Sequence, residues 1–498
     1  MSPISPEIVT IGGFCLSAVV ISHLRHNAKR YRCQLPKPPF VSLTHDDIVH
    51  RTEESMTNAL TQNGPVVRIC RNGSTEYIVD NEYTRKVLTQ ESSFSFENGM
   101  ASLLGINWLF SLHSGTFFRD VDDIMKNFLA RRLSDIEPKV WPIFERGARA
   151  LSDAPPSPQS PIDLLPFAQA TMAEVTTTVF FGEKYMEPGI IKAIIALASD
   201  TAEVTGLLQN RSWLAHKVPV LWRIWTWTSV VLFKIPLHFG PKFAWRLWSD
   251  IECRKGSGLD NEDETVVSYL VNRYQTSDGR VSLGSRLWIF VLVLASILGS
   301  VHQTATIIVW TTFFLALHPE SQIEIREELM SITEQSHESP TSPLPDLKKA
   351  LRTDSFIREV LRMKGDTVNV VRASVRDVDL GGYSIPKGSL IFPVTRFSYR
   401  SPQYTENPDK FDANRWVGTG KTSATTGLGY LAFGYGRWAC PGRFLAVLEI
   451  KSWLLALVKC SKFKLEGENY QVLDGWNITA VAPEGRLLIE PYDDIKSL

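Results

Sequence analysis

Apolar residues recur at helical spacing from about Thr84 to Met330, which predicts a long run of amphipathic and buried helices. Charged or Pro/Ser-rich stretches at 153–161, 255–264 and 333–345 break that run and read as connecting loops. Two shorter regions alternate instead. Residues 64–79 predict a strand hairpin turning at Asn72-Gly73, a dipeptide suited to two-residue loops. Short β signals return between Val368 and Pro393, with turns at 379–382 and at Pro386-Lys387-Gly388. The pattern is mainly α, of the α+β class, with one domain over 35–498 and the connectors as its surface loops. There is no internal repeat.

Three apolar stretches stand apart. Residues 8–24 form an uncharged run of 17, at the short end for a membrane span. Arg25, Lys29, Arg30 and Arg32 follow it. Basic charge on that flank keeps the C-terminal side cytoplasmic, and a cleaved signal would carry its charges first. Residues 1–34 are therefore expected to be an uncleaved single-pass anchor with a basic flank. The stretch Leu35-Pro36-Lys37-Pro38-Pro39 would be a stiff spacer behind it. Residues 287–317 hold 31 positions without a formal charge, long enough for a second span. Ser296, Ser300, Gln303, Thr304 and Thr311 nevertheless place a polar stripe on a helix roughly 45 Å long. That favours a buried central helix with one face on a cavity. Residues 218–233 carry Trp222, Trp225 and Trp227, either core packing or an interfacial membrane contact.

The chain balances 53 Lys and Arg against 53 Asp and Glu over 498 residues. Such a balance gives no electrostatic footprint for nucleic acid. Its six cysteines, Cys15, Cys33, Cys70, Cys253, Cys440 and Cys460, have no framework spacing. A disulfide scaffold is not indicated, and a reducing compartment is.

The chemistry concentrates in Phe433-Gly434-Tyr435-Gly436-Arg437-Trp438-Ala439-Cys440-Pro441-Gly442-Arg443. Cys440 lies at the mouth of a helix expected from Arg443 to about Val458. There, unpaired N–H groups and the dipole favour the thiolate. Gly434, Gly436 and Gly442 let the backbone turn tightly or lie against a flat ligand. A thiolate presented to a planar metal macrocycle suits this arrangement. No second Cys or His stands at zinc-ligand spacing nearby.

The stretch resembles the haem-binding loop of the cytochromes P450, Phe-x-x-Gly-x-x-x-Cys-x-Gly, with Phe433, Gly436, Cys440 and Gly442 in all four positions. The resemblance covers essentially everything after the proline spacer. It includes Glu359-x-x-Arg362, a pattern expected about once by chance in such a chain, followed in family order by Phe411-Asp412-Ala413-Asn414-Arg415-Trp416. By resemblance, Cys440 is the axial ligand of haem b (iron protoporphyrin IX), and Glu359, Arg362 and Arg415 form a buried charge triad. Arg372 takes a position where the family places a haem-propionate donor. Trp438 stands where relatives usually have Arg or His, with Arg437 beside it as partial compensation. On the central helix, His302 stands for the usual acid and Gln303 for the usual Thr. Thr304 comes one residue later, and a proton relay through His302, Thr304 and water is one reading.

The resemblance implies a membrane-anchored haem-thiolate monooxygenase on the endoplasmic reticulum, its catalytic domain facing the cytosol. Electrons would come from NADPH through a separate flavoprotein reductase, since no dinucleotide fingerprint occurs in a suitable context. Arg437, Arg443, Lys126, Arg131 and Arg132 would offer that reductase a basic docking face. The substrate would be a lipophilic small molecule walled by 98–110, 297–308 and 366–371. The wording around Glu359 and Cys440 resembles fungal secondary-metabolism members acting on terpenoids, meroterpenoids, polyketides or alkaloids. Two alternatives stay open. One is a haem-thiolate isomerase or dehydratase that needs no O2; the other is a non-catalytic haem-binding membrane protein.

Overall fold

Asn72 and Gly73 both take positive φ, 49° and 76°. A two-residue loop of this type requires that at both positions, and its twist matches the strands it joins. The computed structural model describes residues 35–492, except 109–111, 156, 158–159, 207–208, 210–211, 253–263, 338–344, 365–367 and 477–479. The expected anchor at 8–24 and its basic flank lie outside the described residues.

The hairpin consists of β1 (Val66–Arg71) and β2 (Ser74–Val79), with Arg71 opposite Ser74. Three further strands complete its sheet: β3 (Phe94–Ser95), β4 (Arg372–Ser374) and β7 (Leu390–Pro393), in the order β1-β2-β7-β4-β3. Only the β2–β7 pairing is parallel. Between β4 and β7 lies a small hairpin of β5 (Val378–Leu380) and β6 (Tyr383–Ile385), turning through Gly381 and Gly382 at φ 61° and 79°. Strands β8 (Ser461–Leu465) and β9 (Leu487–Pro491) pair near the C-terminus. The proline spacer runs extended into the first sheet, where Val41 donates its N–H to the Arg68 carbonyl at 2.9 Å.

Alternation decides which side of the five-stranded sheet each residue packs on. Val67, Ile69, Ile78 and Phe392 join one apolar cluster; Val66, Tyr77, Val79 and Ile391 join another on the opposite face. A third and far larger cluster is helical. It joins the helices Leu133–Asp153, Leu165–Phe180 and Arg443–Cys460 to the central helix.

The central helix begins where Ser282 accepts the N–H of Ser285 at 3.2 Å. It runs as α-helix over Leu283–Ile297, widens into a π-turn over Leu298–Gln303, and returns to α-helix over Thr304–Ala316. By length and composition it could cross a membrane. From Thr304 to Ala316, however, every residue but Ile307 is buried in the helical core. Within the polar stripe, Ser300 bonds Thr176 of a neighbouring helix at 2.6 Å and Thr311 donates to the carbonyls of Ile307 and Ile308 at 2.9 and 3.1 Å, while Ser296 meets no partner among the described residues. Beside the stripe, Thr312 accepts the indole N–H of Trp453 at 3.1 Å.

Candidate functional site

The cysteine loop closes on itself before its helix begins. Gly434 donates its N–H to the Leu431 carbonyl at 2.8 Å, and Cys440 donates to Phe433 at 2.7 Å. Gly434 and Gly436 hold φ at 70° and 74°, where a side chain is strained. Gly442 does not share that need, since its φ is −82°. A Cβ there would also meet only the Met125 sulfur, in ordinary contact at 3.5 Å. The helix then runs from Arg443 to Cys460, two residues beyond expectation.

The N–H groups of Gly442 and Arg443 and the Arg443 charge do favour the Cys440 thiolate. Burial among protein atoms outweighs them, so the free thiol is pushed above its ordinary value. The residue as a whole is nevertheless exposed, which tempers that penalty. This corrects the expectation of an intrinsically acidic cysteine. A metal bound at the sulfur supplies the charge that deprotonates a thiol outright.

Beside this loop stands a stack of cations and rings. The Arg372 guanidinium lies 5.2 Å from the Phe96 ring centre. Phe96 stacks on Trp438 at 5.0 Å and 18°, and Arg437 lies 5.0 Å from Trp438. Arg372 is buried and donates only to the carbonyls of Val371 at 2.8 Å and Leu88 at 3.5 Å. Burial lowers its pKa to about 10, opposed by the nearby Glu91 charge, and it is still charged at neutral pH. No carboxylate forms an ion pair with it among the described residues. Leu88 O also adjoins the cysteine loop, 3.6 Å from where a Gly436 Cβ would be. Arg437, by contrast, is exposed and reaches Asp122 at 3.4 Å. An exposed cysteine and a buried arginine that forms no ion pair among the described residues fit a thiolate-ligated macrocycle that carries acidic side arms. These residues therefore fit haem.

Behind the loop, Glu359 and Arg362 lie on the helix Leu351–Met363, both fully buried. Glu359 Oε1 accepts from Arg362 Nη2 at 2.8 Å, Arg415 Nε at 3.0 Å and the Asp412 N–H at 3.2 Å. Its Oε2 accepts from Arg362 Nε and from the Trp416 indole, both at 3.0 Å. Arg362 also donates to the carbonyls of Tyr399 and Pro408 at 2.9 and 2.6 Å. Trp416, a member of the quoted motif, was not singled out by the sequence; its N–H completes the carboxylate's shell.

His302, Gln303 and Thr304 have separate surroundings. His302 is buried, neither ring nitrogen has a partner among the described residues, and desolvation lowers its pKa to about 4. It is neutral at physiological pH and does not titrate there, which corrects the expectation. Gln303 accepts the Ala480 N–H at 3.0 Å. Thr304 hydrogen-bonds Glu449, a buried acid on the cysteine helix that sequence reasoning missed. Burial raises Glu449 from 4.5 to about 8, so it holds its proton at neutral pH.

These two groups carry opposite pH linkages. The native state holds the Glu449 proton that the unfolded chain releases, so that stability is present below pH 4.5 and lost as pH rises through about 8. The stability tied to neutral His302 is present above pH 6.5 and lost as pH falls toward about 4. Glu449→Gln is expected to flatten the loss of stability between pH 6.5 and 8, worth up to about 1.4 kcal/mol per pH unit. Urea midpoints measured across that window check it; an unchanged slope would show that Glu449 does not titrate there.

Of the expected substrate walls, 109–110 and 366–367 lie outside the described residues. Within 98–110, Gly99 packs so closely on β4 that a Cβ would sit 2.9 Å from the Arg372 and Ala373 backbone. The candidate docking cations are partly neutralised. Asp122 pairs with Lys126 at 2.7 Å as well as with Arg437, Arg132 pairs with Glu264, and Arg443 donates to the carbonyls of Ala424 and Cys440. Arg131 remains exposed.

The family model for "Cytochrome P450" matches residues 36–489, and the chain belongs to that family. Among curated relatives, it is 23% identical over 290 residues to cytochrome P450 monooxygenase 71 of Postia placenta, covering 56% of this chain and 55% of the relative. It is 32% identical over 158 residues to abscisic acid 8'-hydroxylase 1 of Arabidopsis thaliana, covering 32% and 33%. These alignments thus span about half and about a third of the relatives' lengths. A solved retinoic-acid-bound cyanobacterial CYP120A1 superposes with a TM-score of 0.66 at 19% identity, over 92% of this chain and 100% of that one. The overall fold is that of the cytochromes P450.

Proposed function

We propose that the chain is a single-domain, membrane-anchored haem-thiolate monooxygenase. It takes electrons from NADPH through a separate reductase and oxidises a lipophilic small molecule, most simply a terpenoid-like one of fungal secondary metabolism. The observation that carries the reading is the juxtaposition of Cys440, exposed in its closed loop, with Arg372, a buried cation that forms no ion pair among the described residues. Bound there, haem would supply a thiolate-ligated iron able to activate O2 and insert one oxygen atom into a C–H bond. The chain's own residues do the rest. Cys440 would hold the iron, with the Gly442 and Arg443 N–H groups supporting the sulfur's charge. Arg372 would bind an acidic side arm across the Phe96–Trp438 stack. Glu359, Arg362 and Arg415 brace the segment from which the loop departs. The relative named as a hydroxylase of abscisic acid supports a small-molecule substrate, and the Postia placenta relative supports the fungal reading.

The membrane reading gains from a surface beyond the anchor. Trp225, Leu232 and Phe233 are 68%, 64% and 66% exposed, and Trp245 is 73% exposed. Monomeric soluble proteins rarely show so dense a cluster of exposed apolar side chains. A polarity-sensitive dye on full-length protein carrying Leu232→Cys is expected to shift to the blue when lipid vesicles are added. The same dye on Glu466→Cys, an exposed position just after β8 and outside the cluster, is expected not to move. Equal responses would remove the membrane contact at 218–233.

The reading is tested by the reduced carbon monoxide difference spectrum, which should show a Soret band at the thiolate position. Substrate oxidation should then require NADPH, reductase and O2. Turnover without them would install the isomerase or dehydratase reading instead.

A further inference from the structure

Tyr399 ends the short helix Thr395–Tyr399, fully buried in an apolar cluster with Leu88, Val370 and Leu431. Packing alone would be met by phenylalanine there, and a buried hydroxyl is costly unless it is partnered. It is partnered on two sides. Asn369 donates its Nδ2 to the Tyr399 hydroxyl oxygen at 2.8 Å, and the Leu431 backbone N–H also favours that oxygen. The same Nδ2 reaches the Leu431 carbonyl at 3.4 Å. Asn369 Oδ1 meets no partner among the described residues, so this bridge is what the amide does.

Each end of the bridge belongs to the candidate haem site. Asn369 stands three residues before Arg372, the buried cation that opens β4. The Leu431 carbonyl accepts the Gly434 N–H at 2.8 Å, the first bond of the closed loop that carries Cys440. Between them, the Tyr399 carbonyl accepts from the Arg362 guanidinium at 2.9 Å, which ties the bridge to the charge triad. Arg372 in turn donates at 3.5 Å to the carbonyl of Leu88, a member of the same cluster. Three segments distant in the chain thus meet at one side chain.

We propose that Tyr399 and Asn369 are positioning residues for the haem: their hydrogen bonds fix the Cys440 loop against the Arg372 segment, so that sulfur and side-arm cation keep one spacing. This rests on the haem-thiolate reading. Both residues act through the loop and not on the reacting atoms. The probe is electron paramagnetic resonance of the ferric haem protein, whose low-spin lines broaden when the sulfur takes several positions relative to the ring. Tyr399→Phe removes the hydroxyl and keeps the ring in its cluster; Asn369→Leu removes the amide at similar size. Both are expected to retain haem with broadened lines. In both, the thiolate-type Soret band of the carbon monoxide complex should decay roughly two- to tenfold faster, the effect of one hydrogen bond. The double variant should be no broader than either single one, because the same bridge is lost in each. Val370→Ala loosens the cluster without touching the bridge; it is expected to lower the urea midpoint and leave the lines as narrow as in wild type.

Wild-type line widths in both bridge variants, with the thiolate-type band intact, would overturn the proposal alone. So would equal broadening in Val370→Ala, which would assign the effect to packing. Loss of haem from both bridge variants would also overturn it, by assigning the bridge to folding. Absence of the thiolate-type band in wild type would instead remove the haem-thiolate reading beneath it.

Discussion

Glu359→Ala is expected to give a protein that retains no haem and unfolds at markedly lower denaturant. The carboxylate accepts five hydrogen bonds, from Arg362 (two), Arg415, Asp412 and Trp416. Removing it leaves the Arg362 guanidinium fully buried without a counter-charge. Breaking a buried ion pair from one side typically costs about 3–5 kcal/mol. Total stability of a folded domain is only about 5–15 kcal/mol, so most of the margin disappears. The damage is not local. Arg362 ties the helix Leu351–Met363 to the carbonyls of Tyr399 and Pro408, on the way to the cysteine loop. The haem-to-protein ratio and the urea midpoint, measured together, test this. Wild-type values of both would refute a bracing role for the triad.

Cys440→Ser is expected to abolish the thiolate-type Soret band while leaving the fold in place. The loop is closed by backbone bonds, Cys440 N–H to Phe433 O and Gly434 N–H to Leu431 O, and by two glycines at positive φ. None of these depends on sulfur. Serine offers a hydroxyl that does not ionise readily, and so cannot replace a soft thiolate donor. Arg372 and the Phe96–Trp438 stack do not involve the sulfur either. Far-ultraviolet dichroism should therefore match wild type, while the carbon monoxide band moves away from the thiolate position. An unmoved band would place the axial ligand elsewhere.

What could be read from the sequence follows from how local each signal is. The Asn72-Gly73 turn is decided by two residues that tolerate positive φ, and the structure has it there. The Cys440 loop is set by glycines within a few positions of each other. Glu359 and Arg362 share a face because they are three apart on a helix. The contacts that pattern could not reveal join distant parts of the chain. Phe96 meets Trp438, Thr304 meets Glu449, and Gln303 meets Ala480 only once helices and loops are packed. The direction of the Cys440 shift failed for a related reason. A helix N-terminus is visible in sequence, but the desolvation that outweighs it comes from neighbours that are not. Likewise Lys126 and Arg437 look like free charges until Asp122 is seen between them.

The π-turn at Leu298–Gln303 also bears on how this chain can vary. A widened turn accommodates about one more residue than an α-helical turn, and each residue rotates the helix by about 100°. The half before the turn and the half after it are therefore held out of phase. Substitutions change one side chain at a time, but deletion of a single residue such as Gly299 would re-index the entire Leu283–Ile297 half against its neighbours. For this helix, insertion and deletion are the coarse adjustment and substitution the fine one.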